Sequence, residues 1–238
     1  MQKNKHILSN ISTKILCIET ANAVTSIAIT ENNNCLCVKT LSDANKAADS
    51  LHTLLASMLA EQHLKMNDLH AIAISAGPGS YTGLRIAVAA AKAYCFALDI
   101  PLIAISTLES MVHGVQTRYH QNEYDVFVPM IDARRMEVFA AFYNQKSEKQ
   151  QTFSGLIIDA NFPELLDANK KYLLFGNGAI KTSTFINKEN STLFTDFSHC
   201  ASDLCSLAFY HFVNKQFEEI AYFEPNYTKQ VHITSQKK

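Results

Sequence analysis

The sequence predicts an α/β fold in two related halves, and three observations carry that expectation. The first half orders its elements βββαβαβ, with helices entering only after a run of short strands. That order calls for right-handed crossovers and a mixed sheet flanked by helices. A strand, a polar turn and a returning strand occur twice, at 14–30 and again at 125–143, and an acid, Glu19 or Asp132, ends the first strand each time. Finally, a turn built on Gly77, Pro78 and Gly79 joins an Ile-rich strand to a long alanine-rich helix.

Residues 14–19 (KILCIE) read as a strand with little alternation, as expected when both faces are covered. Residues 24–30 and 35–41 return as second and third strands, and connections this short make the three an antiparallel meander. A helix follows over about 49–63, with Leu51, Leu54, Leu55, Met58 and Leu59 on one apolar face that packs on the sheet. Asn67 and Asp68 close it, and its opposite side, with Ala48, Ala56 and Ala60, is left open for a partner. Ala71 to Ser75 is a buried strand. The glycines after it let the backbone turn sharply and approach whatever lies opposite. Ser80 or Thr82 caps the helix that follows, and Arg85 offers a fixed charge for a phosphate or for a carboxylate of the chain itself. The turn matches neither the phosphate-loop nor the dinucleotide glycine pattern.

From Gly83 to Leu98 the helix carries only Arg85 and Lys92 as charges. Ala87, Ala90, Ala91 and Ala93 leave room for a second backbone, from this chain or from another subunit. A strand at 101–106 and a short helix at 107–115 complete the first half. In the second half the reading is a hairpin (125–131 and 136–143), a polar stretch near 144–151, a strand at 155–159 and a helix at 163–169. A strand with a turn at 172–178 and a final helix at 201–215, capped by Ser202 or Asp203, end it.

The 238 residues carry 21 basic and 22 acidic side chains, a balance that excludes an unaided grip on nucleic acid, which needs clustered Lys and Arg. Six cysteines form no CxxC pair and read as small buried hydrophobes of a reducing cytosol, none of them a nucleophile. Nine histidines include no pair three to five apart, so no helical metal clamp is expected. No apolar run reaches membrane-spanning or signal length, so the expectation is a soluble, cytoplasmic protein without cofactor or metal. The expected organisation is an extension at 1–13, a first lobe at 14–108 and a second, reduced lobe at 109–238. Whether the C-terminal segment packs back on the first lobe is left open.

ILCIETANAVTSIAI, AISAGPGSYTGLRIAVAAAKAYCFALDIPLIAISTLESM and IDARRMEVFAAFY together resemble the TsaB family, formerly called YeaZ, over about 14–178. The resemblance implies an actin-like, sugar-kinase-like (ASKHA) fold of two lobes. It also implies a non-catalytic dimerization subunit of the bacterial complex that places threonylcarbamoyl on the adenosine beside the tRNA anticodon. Implied partners are a TsaD-like catalytic paralogue, a TsaE-like ATPase and, for the chain alone, a second copy, with tRNA met only through the complex. Three departures stand out: Glu19 replaces the commoner aspartate, Ala47 stands where a histidine is frequent, and Lys229 where arginine is usual.

Candidate interface residues are Leu51, Leu55, Met58, Ala87, Ala90, Ala91 and Tyr94. Candidate cleft residues, read as vestigial, are Glu19, Thr20, Gly77, Gly79, Ser80, Thr82, Arg85, Asp132 and Arg134. An ATPase of this fold would use Glu19 and Asp132 on Mg²⁺ or water, but the phosphate-wrapping glycines are missing after both. Glu19 is therefore read as an acceptor for turn N–H groups, with a metal role as the alternative. Asp132 and Arg134 pair across their turn or meet the other lobe. The rival functions are a free-standing ATP-dependent enzyme and a peptidase acting on the partner, the second with no nucleophile and base evident in the sequence.

Overall fold

The computed structural model describes residues 12–22, 24–41, 47–121 and 123–226. Residues 1–11 of the expected extension, the side chains of Ala47 and Ala48, and the closing residues from Tyr227, Lys229 among them, lie outside the described part. Two five-stranded mixed sheets share one topology. The first runs β3-β2-β1-β4-β5, from β1 (Lys14–Glu19), β2 (Thr25–Glu31), β3 (Asn34–Leu41), β4 (Ala71–Ser75) and β5 (Leu102–Ile105). The second runs β8-β7-β6-β9-β10, from β6 (Val126–Asp132), β7 (Glu137–Asn144), β8 (Lys149–Ile157), β9 (Tyr172–Phe175) and β10 (Ser191–Phe194). In each, an antiparallel meander is extended by two parallel strands, so this is the two-lobed actin-like fold.

Helices α1 (Ala47–Glu61) and α2 (Tyr81–Leu98) cover one face of the first sheet. Leu51, Leu55, Met58, Ala87 and Ala91 bury there with Leu16, Ile18, Ile27, Ile29, Ile72 and Ile74. Helix α3 (Thr107–Thr117) enters the second lobe, where Leu108, Met111, Val112 and Val115 pack on Phe127, Phe139 and Phe175. The last helix, α4 (Cys205–Val213), returns to the free face of the first sheet, with Leu204, Cys205 and Ala208 against Ile15, Cys17, Ala28 and Ile103. Beyond it Glu218 bridges to Leu102, and the Asn226 N–H donates to the Ala76 carbonyl at 2.7 Å. By packing, residues 201–226 complete the first lobe.

The second half departs from the sequence expectations at its weakest signals. The polar run near 144–151 does not stay a loop: β8 begins at Lys149 as an edge strand with mostly exposed side chains. An edge strand of that kind needs no apolar alternation. The helix expected at 163–169 is only a 3-10 turn, Phe162–Leu165, pinned by buried Phe162. Strand β10 was not anticipated. The final helix is shorter than expected because a 3-10 turn, Ala201–Leu204, precedes it, and Asp203 rather than Ser202 accepts the Cys200 N–H, at 3.0 Å. Asn67 and Asp68 sit in a separate 3-10 turn, Met66–Asp68, after α1 has ended.

Gly83 lies within α2, where Gly→Ala ordinarily stabilises a helix by about 0.5–1 kcal/mol. A Cβ there would stand 2.0 Å from the Thr20 carbonyl oxygen. Gly83→Ala is therefore expected to destabilise by about 1–3 kcal/mol, as overpacking does, read as a lowered urea midpoint. A raised midpoint would show that α2 and the turn after β1 are not in backbone contact.

Candidate functional site

Three segments meet where the lobes join: the turn after β1, the glycine turn before α2, and residues 198–203. The first two are knit by backbone. The Ser80 N–H donates to the Ala21 carbonyl at 2.7 Å, and the Thr20 hydroxyl donates to the Gly83 carbonyl at 2.8 Å. Gly79 is obligatory, since a Cβ would stand 2.5 Å from the Ala21 carbonyl oxygen. Gly77, at φ +103°, lies under the Asn226 carbonyl, 2.8 Å from where its Cβ would be. The cap of α2 is Ser80, whose Oγ accepts from the Gly83 N–H at 3.2 Å, while Thr82 is exposed. Arg85 binds the Tyr81 hydroxyl at 3.0 Å on its own helix, not a carboxylate. Ala21 and Thr20 thus lie directly against Gly79 and Gly83.

Glu19 is fully buried behind that turn. One carboxylate oxygen accepts the Ala21 N–H at 2.7 Å, as the sequence reading expected, and the other accepts the Ser75 hydroxyl. Its remaining partner was not foreseen: His199 Nδ1 lies 3.5 Å from Oε1, inside the protein. The Ser110 hydroxyl lies 3.0 Å from the Thr107 carbonyl and 2.9 Å from His199 Nε2; with its proton on the Thr107 carbonyl, it accepts from Nε2–H. With Nε2 protonated, a neutral ring would turn its Nδ1 lone pair towards the carboxylate, and protonation of Nδ1 removes that repulsion. The Asn22 amide nitrogen lies 3.1 Å from the same Nδ1, and a protonated ring requires that amide to be turned so that its oxygen faces Nδ1. Burial alone would push Glu19 up. The charge of His199 and the hydrogen bonds outweigh it and hold the carboxyl below its ordinary value. Burial likewise opposes the His199 charge, but Glu19 beside it raises the imidazole above its ordinary value.

Behind His199 stands Asp203, buried and held in a bidentate pair by Arg118 at 2.5 and 3.0 Å. The same guanidinium donates to the Ser198 carbonyl at 2.5 Å. Gly114 makes this possible, because a Cβ on that turn of α3 would meet the Asp203 carboxylate carbon at 2.4 Å. A glycine inside a predicted helix was the one sequence signal of this close approach.

Ser110, His199 and Glu19 have the order of a hydrolytic triad, a grouping that the sequence did not reveal. The arrangement is wrong for that chemistry. A triad serine gives its proton to the histidine, whereas the Thr107 carbonyl, 3.0 Å from Ser110 Oγ, competes for that proton here. Ser110 is also fully buried within α3.

Asp132, the counterpart acid, is exposed. It accepts the Arg134 N–H at 2.6 Å and pairs with Lys181 at 2.6 Å, while Asn177 Oδ1 accepts the Asp132 N–H at 2.9 Å. Burial opposes the shift, but the Lys181 and Arg134 hydrogen bonds hold the Asp132 carboxyl below its ordinary value. The sequence reading paired Asp132 with Arg134 across their turn or with the other lobe; the two do meet across the turn, through the Arg134 N–H, and Lys181 supplies a further partner. Arg134 and Arg135 occupy left-handed backbone at φ 68° and 49°, with side chains outward.

The expected helix interface needs correction. Leu51, Leu55, Met58, Ala87 and Ala91 are buried against their own sheet and leave little surface for another chain. Ala90 borders a shallow groove of about 320 Å³ between α1 and α2, lined also by Leu51, His52, Ile86, Ala89 and Ala93. Tyr94 is half-buried, its hydroxyl on His52 Nδ1. The surface actually presented is His52 and Ala56 on α1 with Ala89, Ala93 and the 85% exposed Phe96 on α2.

Two outcomes are expected. The Glu19 contribution is complete above the ordinary carboxylate value of 4.5 and is lost as pH falls through its lowered native pKa. The His199 contribution is complete below the ordinary imidazole value of 6.5 and is lost as pH rises through its raised native pKa. Urea midpoints of wild type and His199→Gln should therefore differ most between those two values, by about 3–5 kcal/mol, the scale for breaking one side of a buried pair. A difference independent of pH would exclude the ionised pair. A fluorophosphonate probe should leave Ser110 unlabelled in the folded chain, and labelling that Ser110→Ala abolishes would restore the hydrolase reading.

Residues 43–235 match the family model TsaD: tRNA N6-adenosine threonylcarbamoyltransferase. The chain is 29% identical over 168 residues to the tRNA threonylcarbamoyladenosine biosynthesis protein TsaB of Bacillus subtilis, covering 68% of this chain and 69% of that one. It is 32% identical over 140 residues to TsaB of Buchnera aphidicola, covering 58% and 59%. Among solved structures, YeaZ from Pseudomonas aeruginosa superposes with a TM-score of 0.74 at 24% identity, over 90% of this chain and 99% of that one. With the duplicated sheets and the joint in place, these matches agree: the chain belongs to the TsaB (YeaZ) family, within the group that the TsaD model describes.

Proposed function

We propose that this chain is a non-catalytic scaffold subunit of the cytoplasmic complex that adds threonylcarbamoyl to the adenosine next to the anticodon of tRNAs reading A-starting codons. In this reading it binds and activates a TsaD-like paralogue, a TsaE-like ATPase joins the pair, and tRNA is met only through the complex. The names carried by the Bacillus and Buchnera relatives support the pathway. The observation that carries the non-catalytic part is the state of Glu19: its oxygens are engaged by Ala21, Ser75 and His199, and none faces a space for Mg²⁺ or nucleotide. The balanced charge supports indirect contact with tRNA, because phosphate binding needs clustered cations.

The docking surface in this proposal is the outer face of α1 and α2. Small side chains at Ala56, Ala89 and Ala93 let a partner helix approach closely, and Phe96 stands ready for burial. Because the partner is a paralogue, the same face serves a homodimer when the chain is alone. Among the described residues no helix is long and apolar enough to cross a membrane.

Substitution at Ala87 or Ala91 would strike the core, so the surface is tested at Ala89 and Ala93. The double variant Ala89→Arg, Ala93→Glu should weaken binding to a TsaD-like partner by more than about tenfold, or roughly 1.4 kcal/mol, with the urea midpoint unchanged. Undiminished co-purification would remove this face from the complex.

A further inference from the structure

The joint and the start of α2 form one chain of polar contacts, all hydrogen bonds except the ion pair of His199 with Glu19. From the second lobe, Ser110 on α3 holds His199 Nε2 at 2.9 Å, and His199 Nδ1 faces Glu19 at 3.5 Å. Glu19 holds the Ala21 N–H at 2.7 Å, and the Ala21 carbonyl holds the Ser80 N–H at 2.7 Å. One residue earlier in the same turn, the Thr20 hydroxyl fastens the Gly83 carbonyl at 2.8 Å. Ser110, His199, Glu19, Thr20 and Ala21 are all buried. The segment carrying His199 is gripped from both sides. Arg118 and the Tyr119 hydroxyl hold Ser198 from α3 and the residues after it, at 2.5 and 3.1 Å, and Ser26 Oγ of β2 accepts the Ala201 N–H at 2.8 Å.

A buried polar network is costly when half satisfied, so this one is either engaged or released, with little between. We propose that His199 is a latch through which the relative position of the two lobes sets the geometry of the first turn of α2, so that lobe movement and partner docking regulate each other. The latch concerns the free chain; its consequence for docking rests on the reading of α2 given above. Linkage requires the coupling to run both ways: a partner seated on α2 must also steady residues 198–203.

Hydrogen exchange of the full chain tests this. In His199→Gln, the amides of Ser80, Gly83 and Leu84 should exchange about tenfold faster than in wild type, with β7 and β8 unchanged. Adding the TsaD-like partner to wild type should slow exchange at 198–203. Ser110→Ala, which removes a neutral hydroxyl and leaves the Glu19–His199 pair in place, should give a smaller change at the same amides and decides the matter if His199→Gln does not fold cooperatively. Faster exchange confined to 198–203 and α3, with 80–84 keeping wild-type protection, would overturn the latch. The Ala89→Arg, Ala93→Glu variant separates the two claims. If it still binds the partner, the docking reading fails, while exchange in the free chain continues to decide the latch.

Discussion

The buried pairing of Glu19 with His199 is the constraint around which this molecule is arranged. A carboxylate at the end of β1 with no exposure must have its charge compensated inside the protein. Ala21, Ser75 and His199 provide that, and each compels a neighbour. The Ala21 contact fixes the turn, the turn fixes the glycine loop through Gly79 and Ser80, and the loop fixes the start of α2. His199 in turn requires residues 198–203 to cross between the lobes, which requires Arg118, Asp203 and the bare backbone at Gly114.

The two halves repeat one sheet and then treat their equivalent acids in opposite ways. Glu19 is drawn inside and matched by an imidazole that arrives from the far end of the chain. Asp132 stays at the surface and is matched by Lys181 and the Arg134 backbone. Only Glu19 has both oxygens engaged inside the protein. The first half keeps its helices and adds α4 from the C-terminal region, so its sheet is covered on both faces; the second half shrinks to short 3-10 turns around Phe162 and Ala179. The outer side of α1 and α2 stays exposed, and the proposed binding role rests on that surface.

Much of this was legible in the sequence. The meander, the strand Ala71–Ser75, the Ser80 cap and the turn N–H bond of Glu19 follow from local chemistry, because each depends on residues close in the chain. The helix face was misread for a physical reason. Alanine is equally at home buried and exposed, so periodicity could not separate Ala87 and Ala91 in the core from Ala89 and Ala93 outside. His199 was invisible because its partners lie 89 and 177 residues away at Ser110 and Asn22, and no local pattern records such an encounter. Strands β8 and β10 were missed because a polar edge strand and a four-residue strand carry almost no periodic signal.

The central claim is that this chain acts by holding a partner and not through its own cleft acids. It is tested most directly by reconstituting threonylcarbamoylation of tRNA with the same organism's TsaD-like and TsaE-like proteins and the synthase that makes the adenylate. Three mixtures are compared: no added chain, wild type, and the double variant Glu19→Gln, Asp132→Asn. The account predicts that modification requires the chain and that the double variant, once assembled, supports it at close to the wild-type rate. Loss of turnover in an assembled complex carrying the double variant would contradict it and return the cleft to the chemistry.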